Sequence, residues 1–474
     1  MRLIFLSLLS CRDKSDDAPE NIVYNYIEET NGTLHASEDY KSAESCGECH
    51  PVHYQQWKGS MHAYATRSPV FEKMAQKAYR DSAGEVGEFC TRCHSIPGDS
   101  IGEDGTYGYD SRSDIGKEGV TCVTCHQAEA HFYPIGNANL EVDPFGMIYG
   151  PFESTEQREH ASMKSDLLQS PELCGSCHDV FMYPGIAIEQ AYSEYVNSPA
   201  AETGERCQDC HMTPNPGVTA PKTVAPIAVV DGFSYPDREL SDHYFTGPDY
   251  VLVDDWPYDS AQENQANRIE SLARTQQLLE NSIEIGLVQA NITNNELNID
   301  VLLRSLVDGH NVPTGFTSER QLWVEIIVSD RNQNIVFQTG DLDSYGDLRD
   351  VHSWDVLTGE VEEDSQLVNL QSTNQIIQRH YLENGENDPT SFITYEEAVF
   401  PFQAITIIRN SLEPREERNL RYHVSLLQDE GPYTIETKLR YRNLPPYVLR
   451  ELQLDDLSAK LQIFDIDQET KLVH

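Results

Sequence analysis

The chain has 474 residues, in which 78 acidic side chains outnumber 34 basic ones and leave a formal charge of −44. Repulsion from a polyanion excludes nucleic acid as a partner, and no apolar run beyond the N-terminus is long enough to span a bilayer. The length accommodates two to four domains, and the acidity suits basic partner proteins or high-salt surroundings, or simply keeps a large chain soluble.

In chain order, Met1 and Arg2 precede an apolar run from Leu3 to Leu9, followed by Ser10 and Cys11. A short basic start, an apolar stretch and a small residue ahead of a cysteine resemble a lipoprotein signal. The pattern predicts a signal over residues 1–11, a membrane lipid anchor at Cys11 and a polar tether over 12–40.

Residues 41–250 carry five Cys-x-x-Cys-His motifs: Cys46/Cys49/His50, Cys90/Cys93/His94, Cys122/Cys125/His126, Cys174/Cys177/His178 and Cys207/Cys210/His211. They use ten of the 11 cysteines. Zinc sites pair two Cys-x-x-Cys units and need no His directly after the second Cys, whereas this pattern is the c-type haem attachment signature. Two thiols bond the porphyrin and the adjacent imidazole is the proximal iron ligand. Five covalently bound haem c groups are expected, dense enough to replace side chains as the core of a mainly α and irregular domain. The first cysteines are unevenly spaced, which argues against a solenoid.

Residues 251–282 form a linker, with a helix expected over about 260–282, where Gly and Pro are absent and Ile269, Leu272, Leu278 and Leu279 recur at roughly helical spacing. Residues 283–474 change to alternating β-rich segments: Ile283–Val288, Leu297–Leu303, Leu322–Val328, Ile335–Gln338, Ala404–Ile408, Tyr422–Leu427 and Tyr433–Tyr441. Short strands separated by turn residues predict an all-β antiparallel sandwich of immunoglobulin-like type. The polar stretch from Asp341 to Gln378 reads as a long loop or insertion, and its Asp341, Asp343, Gly346 and Asp347 as a solvated turn, because His352 stands where a calcium loop needs Glu.

An electron-transfer haem needs a second axial ligand, and a haem that does chemistry keeps that position open. Six further histidines lie in or beside the haem region: His35, His53, His62, His131, His160 and His243. Met61, Met163 and Met212 are minority alternatives.

The run Cys46-Gly-Glu-Cys-His-Pro-Val-His-Tyr-Gln-Gln-Trp57-Lys-Gly-Ser60-Met-His62-Ala63 resembles multihaem cytochromes related to the tetrahaem electron acceptor of hydroxylamine oxidoreductase. In that family a Trp-x-x-Ser-x-His-Ala segment follows a haem motif and supplies a distal ligand, which implies this role for His62. His160 ahead of Ser170-Pro-Glu-Leu-Cys174 is similar to the family's distal His upstream of a motif. Cys207-Gln-Asp-Cys-His211-Met212 resembles the late motif that the family shares with pentahaem nitrite reductases, and His243 is similar to the distal His that follows it. The Cys-x-x-Cys-Lys motif of those reductases is absent. His53 falls where the resemblance implies no ligand and is expected at the surface or behind one. His35 and His131 are further candidates. Gly309-His310-Asn-Val-Pro313-Thr314-Gly315, with Arg320-Gln-Leu-Trp323 and Lys438-Leu-Arg-Tyr441-Arg442, resembles the C-terminal sandwich attached to such cytochromes, where a rigid loop would let His310 reach a haem.

These features lead to an exported electron carrier, periplasmic or at the cell surface, working between donor and acceptor redox proteins. The alternatives are a reductase of a small nitrogen or sulfur compound at one five-coordinate haem, and a subunit docked into a cytochrome assembly through the sandwich.

Overall fold

The computed structural model describes residues 34–153, 159–182, 185–380, 392–426 and 431–474. The signal, Cys11 and most of the tether lie outside the described residues.

The haem-motif region is built from short helices joined by loops and two-stranded ribbons. Each motif lies on or runs out of one of them: Ala43–Gly47, Phe89–His94, Cys122–His126, Pro171–Gly175 and Cys207–His211. In a helix, residues i, i+3 and i+4 share a face, so both thiols and the imidazole point the same way. Where the helix ends early the turn continues, since the His50 amide donates to the Cys46 carbonyl and the His178 amide to the Cys174 carbonyl, both at 2.9 Å. Helices this short do not hold alone, so caps and tertiary contacts fix them. Ser42 Oγ accepts from the Ser45 amide, and Pro171 opens the fourth motif helix. A longer helix, Pro69–Asp81, is capped by Ser68 and closes one side of the region. The antiparallel ribbons Ala128–His131 with Leu140–Val142, Val180–Met182 with Ile186–Glu189 and Thr223–Pro226 with Asp237–Leu240 add β-structure to what composition suggested was mainly α and irregular.

The linking helix runs Ala261–Glu280, with Ser260 Oγ accepting from the Glu263 amide at its start. Antiparallel sheets follow. One orders Ile283–Thr293, Glu296–Ser305 and Glu417–Ser425; the other orders Ile335–Thr339, Gln321–Ser329, Tyr433–Arg442 and Phe464–Val473, with Val368–Asn369 paired to Gln321–Ser329. Alternation turns Leu297, Ile299, Val301 and Leu303 of the first sheet and Val324, Ile326, Ile435 and Leu439 of the second into one core, where each fully buried aliphatic contributes roughly 1.5–3 kcal/mol. Tyr250 and Leu252, ahead of the helix, belong to that core, so the segment read as a linker is partly built into the β region.

Within the polar stretch, Thr373–His380 pairs with Phe392–Ala398 and Thr406–Ile408 in a third sheet, and Trp354–Leu357 is helical. Asp343 accepts hydrogen bonds from the Tyr345 and Asp347 amides and from Ser353 Oγ, and Asp341 accepts from Arg349, so these carboxylates brace their own turn.

Candidate haem-binding cavity

All five motifs open onto one connected cavity of about 1870 Å³, well above the roughly 300–1,000 Å³ of a pocket for one small ligand. Thiols of different motifs approach within hydrogen-bond reach, as Cys46 with Cys122, Cys93 with Cys177 and Cys174 with Cys207. Cys125 stands near enough to Cys174 and Cys177 to feel their charge. In space the first motif therefore adjoins the third, the third adjoins the fourth, and the fourth also adjoins the second and the fifth.

Four pairs of imidazoles face each other. Ring centroids are 6.4 Å apart for His50 and His160, 6.3 Å for His178 and His62, 6.3 Å for His126 and His243, and 6.1 Å for His211 and His310. With an imidazole–metal bond of about 2 Å, rings on opposite faces of one iron stand about 6 Å apart. Each pair joins one motif histidine to one distant in sequence.

Hydrogen bonds set the tautomer. Nδ1 of His50, His94, His126 and His211 donates to the carbonyls of Ile227 (2.8 Å), Ala65 (3.2 Å), Tyr149 (2.7 Å) and Thr246 (3.0 Å). Nδ1 of His243 and His310 donates to the Ser241 and Asn311 carbonyls, each at 2.9 Å, and His160 Nδ1 shares a 2.9 Å hydrogen bond with Ser162 Oγ. A carbonyl only accepts, so the proton sits on Nδ1 and the lone pair of Nε2 is left for a metal. Burial favours the neutral ring at seven of these sites: it pulls His62 down to about 3 and His94 and His211 to about 4, and lowers His126, His160, His243 and His310. Neutral imidazole is the ligating form. Paired thiols, adjacent imidazoles and opposed rings are thus the donor set that covalent haem requires.

The fourth motif differs. His178 Nδ1 donates at 3.0 Å to a carboxylate, Glu189 Oε1. Burial alone lowers the His178 pKa, but the Glu189 hydrogen bond and charge outweigh it and push the ring up to about 9. Burial raises the Glu189 carboxyl, and His178 brings it net below its usual range.

The second motif differs too. The Phe71 ring stacks on His94 at 4.0 Å and 17°, and among the described histidines none stands opposite His94 as in the four pairs. His53 lies in the cavity wall, edge-on to His243 at 4.7 Å and to His50 at 6.2 Å; it is only three residues from His50 on the same chain turn, unlike the distant partners of the four pairs, and burial lowers its pKa to about 4.

Two sequence candidates fall elsewhere. His35 packs on Tyr40 and Phe145, with Nδ1 3.9 Å from Asp39, and does not line the cavity. His131 ends a strand whose pairing with Leu140–Val142 turns it onto Tyr133, again away from the cavity. Nearness in sequence to a motif made them candidates, and the local strand and loop direct them away. Glu189, Phe71 and Glu194 belong to no motif, so folding alone brings Glu189 and Phe71 to the cavity and Glu194 to the loop of His310.

The distal residues are placed by the motif around them. Ser60 Oγ accepts from the Ala63 amide to start the helix Met61–Tyr64, and Trp57 Nε1 donates to the Val120 carbonyl at 2.8 Å. The Val120 amide donates to the His62 carbonyl at 2.9 Å; Gly119 allows this, since its φ is +67° and a Cβ there would meet that carbonyl at 2.5 Å. His310 is carried across from the β region. Glu194 accepts from the Asn311 amide and Nδ2, both at 3.1 Å, and from Thr314 Oγ1 at 2.5 Å, while Arg320 donates to Asp249 at 3.0 Å.

Residues 45–127 match the family model of cytochrome c554 and c-prime. Cytochrome c-554 of Nitrosomonas europaea is 28% identical over 151 residues, 31% of this chain and 60% of that protein, so the chain spans about three-fifths of the length of this curated relative. The crystal structure of a penta-heme cytochrome c552 from Thermochromatium tepidum superposes with a TM-score of 0.58 at 16% identity, covering 92% of this chain and 99% of that one. With its motifs and cavity, the chain is a multihaem c-type cytochrome. Within that class it is similar to the cytochrome c554 group over the first three motifs and is similar in fold to the penta-heme protein over 92% of this chain.

Proposed function

We propose that this protein is an exported pentahaem electron-transfer cytochrome. The haem unit is residues 41–250, joined through 251–282 to a β-sandwich over 283–474. The carrying observation is the set of four opposed histidine pairs about one cavity, each pair formed by a motif histidine and a distant partner. Cys46, Cys49, Cys90, Cys93, Cys122, Cys125, Cys174, Cys177, Cys207 and Cys210 would hold the haems, and His50, His94, His126, His178 and His211 would be their proximal ligands. His160, His62, His243 and His310 would be distal ligands to the first, fourth, third and fifth. Bound haem supplies reversible one-electron chemistry. The chain supplies spacing, ligation and burial, with the fourth motif as the junction between the first and third on one side and the second and fifth on the other. The acidic surface favours redox partners with basic faces.

One observation favours a second activity at the same protein. His94 alone among the motif histidines lacks an opposed imidazole among the described residues, so its haem would keep one axial side free for a small nitrogen or sulfur compound. Electron paramagnetic resonance of the oxidised protein tests both readings. Four low-spin haems and one high-spin haem are expected. Five low-spin haems remove the second reading, and intact mass showing fewer than five haems removes the pentahaem assignment.

A periplasmic or surface location with a lipid anchor at Cys11 completes the proposal. No helix among the described residues is long and apolar enough to cross a membrane. Cys11→Ala is expected to release the protein from membranes with its haem content unchanged, and a wild-type protein already free of membranes overturns the anchor.

A further inference from the structure

Glu319 is 5% exposed, and neither carboxylate oxygen has a hydrogen-bond partner among the described residues. An unpaired buried carboxylate is among the more costly groups a fold can keep, and such groups concentrate at functional sites. It lines the cavity together with Phe316, Arg320 and Asn443, the last with an Oδ1 that is likewise buried and unpartnered.

Two anchors tie this loop to segments that adjoin His94. On one side, Arg409 donates to Thr317 Oγ1 at 3.3 Å and to the Ala187 carbonyl at 2.7 Å. Ala187 is two residues before Glu189, whose charge reaches His94. On the other side, Gln371 Nε2 donates to the Ser318 carbonyl at 2.5 Å and to Tyr447 Oη at 2.9 Å. Tyr447 belongs to the cluster with Leu444 on which Val70 and Met74 pack, and these flank Phe71, the residue stacked on His94. One anchor thus ties the Glu319 loop to the Glu189 hairpin, which holds His178 and acts on His94, and the other ties it to the cluster packed against the residues around Phe71.

We propose that Glu319 is the hydrogen-bond donor to a small ligand held on the free axial side of the haem attached at Cys90 and Cys93. The assignment rests on the open-site reading given above and adds to it the residue that recognises the ligand and the ligand's class. That class is a compact nitrogen or sulfur compound whose outer atom accepts a hydrogen bond. Burial supports the donor role, because it pushes the Glu319 carboxyl up to about 8 and keeps the proton on it at neutral pH.

Carbon monoxide on the reduced holoprotein is the probe, read by the C–O stretching frequency, with cyanide affinity of the oxidised protein as the second readout. Glu319→Leu keeps the volume and removes the donor. It is expected to raise the C–O frequency and weaken cyanide binding by about tenfold, the loss of one hydrogen bond to a ligand. Glu319→Gln restores an N–H donor and is expected to bring both readouts back toward wild type, with retained haem content showing that each variant folds. A wild-type adduct that both variants leave unchanged overturns the role of Glu319 alone. Altered potentials of the low-spin haems with an unchanged C–O frequency also overturn it, because Glu319 would then serve a haem propionate. A wild-type protein that binds neither probe overturns the open-site reading, and this assignment with it.

Discussion

His178 donates through Nδ1 to the carboxylate of Glu189 at 3.0 Å, whereas the other four motif histidines donate to backbone carbonyls. A full negative charge accepting from the far nitrogen makes the imidazole a stronger donor to a metal and stabilises the oxidised form. The fourth motif is also the one that touches three others, so the charge sits at the junction of the array.

Glu189→Gln keeps the hydrogen bond and removes the charge. It is expected to raise the midpoint potential of one low-spin haem by on the order of 60 mV, equivalent to a tenfold change in a one-electron equilibrium. A redox titration followed by electron paramagnetic resonance reads this directly. Unchanged midpoints for all haems would show that the carboxylate is compensated elsewhere.

The pair His211 and His310 joins the two halves of the chain. His310→Ala is expected to turn one low-spin signal high-spin and leave the others as they were. Glu194→Ala removes the acceptor of three hydrogen bonds from the His310 loop and is expected to lower the melting temperature and partly mimic the spin change. A wild-type spectrum in the His310 variant would reduce that residue to a turn element.

Replacing the thiols of the fourth motif, Cys174 and Cys177, should disturb more than replacing Cys207 and Cys210 of the fifth. The fourth helix packs among three other motifs, so its haem would carry core contacts for each of them. Each double Cys→Ser variant is expected to lose one haem by intact mass. The Cys174/Cys177 variant should also show the larger fall in thermal stability, and equal falls would mean that the sites fold independently.

Glu319 gives the holoprotein a pH-dependent stability with a defined sign. Its carboxyl is raised by burial to about 8 in the folded chain, against about 4.3 when unfolded. The unfolded state therefore loses its proton first, and the stability associated with the protonated form is full below pH ~4 and is lost as pH rises towards 8. Glu319→Gln does not titrate. Its stability relative to wild type is expected to climb between pH 5 and pH 8 by on the order of a few kcal/mol, read as a rising melting temperature relative to wild type. A constant difference across that range would place the Glu319 proton elsewhere.

Helical spacing within each Cys-x-x-Cys-His motif is a local matter, since positions i, i+3 and i+4 share a face wherever a helical turn forms; that each motif turns its two thiols and its imidazole the same way is therefore legible from sequence. The same holds for the helix after Ser260 and for strands such as Glu296–Ser305 and Gln321–Ser329, whose alternation or apolar run marks the core face. Phe464–Val473 was missed because after Phe464 and Ile466 its pattern turns polar on an outer strand, and Thr373–His380 because its pairing lies in a small separate sheet.

Sequence determined how many Cys-x-x-Cys-His motifs the chain carries and which histidine adjoins each pair of thiols. Only the tertiary structure decided which histidine faces which motif, because His160 meets His50, His243 meets His126 and His310 meets His211 through contacts that no local period sets. It also turned His35 and His131 outward and placed Glu189 and Glu319 at the cavity wall. A lone glutamate has no motif; its meaning comes from the burial and the neighbours that folding gives it.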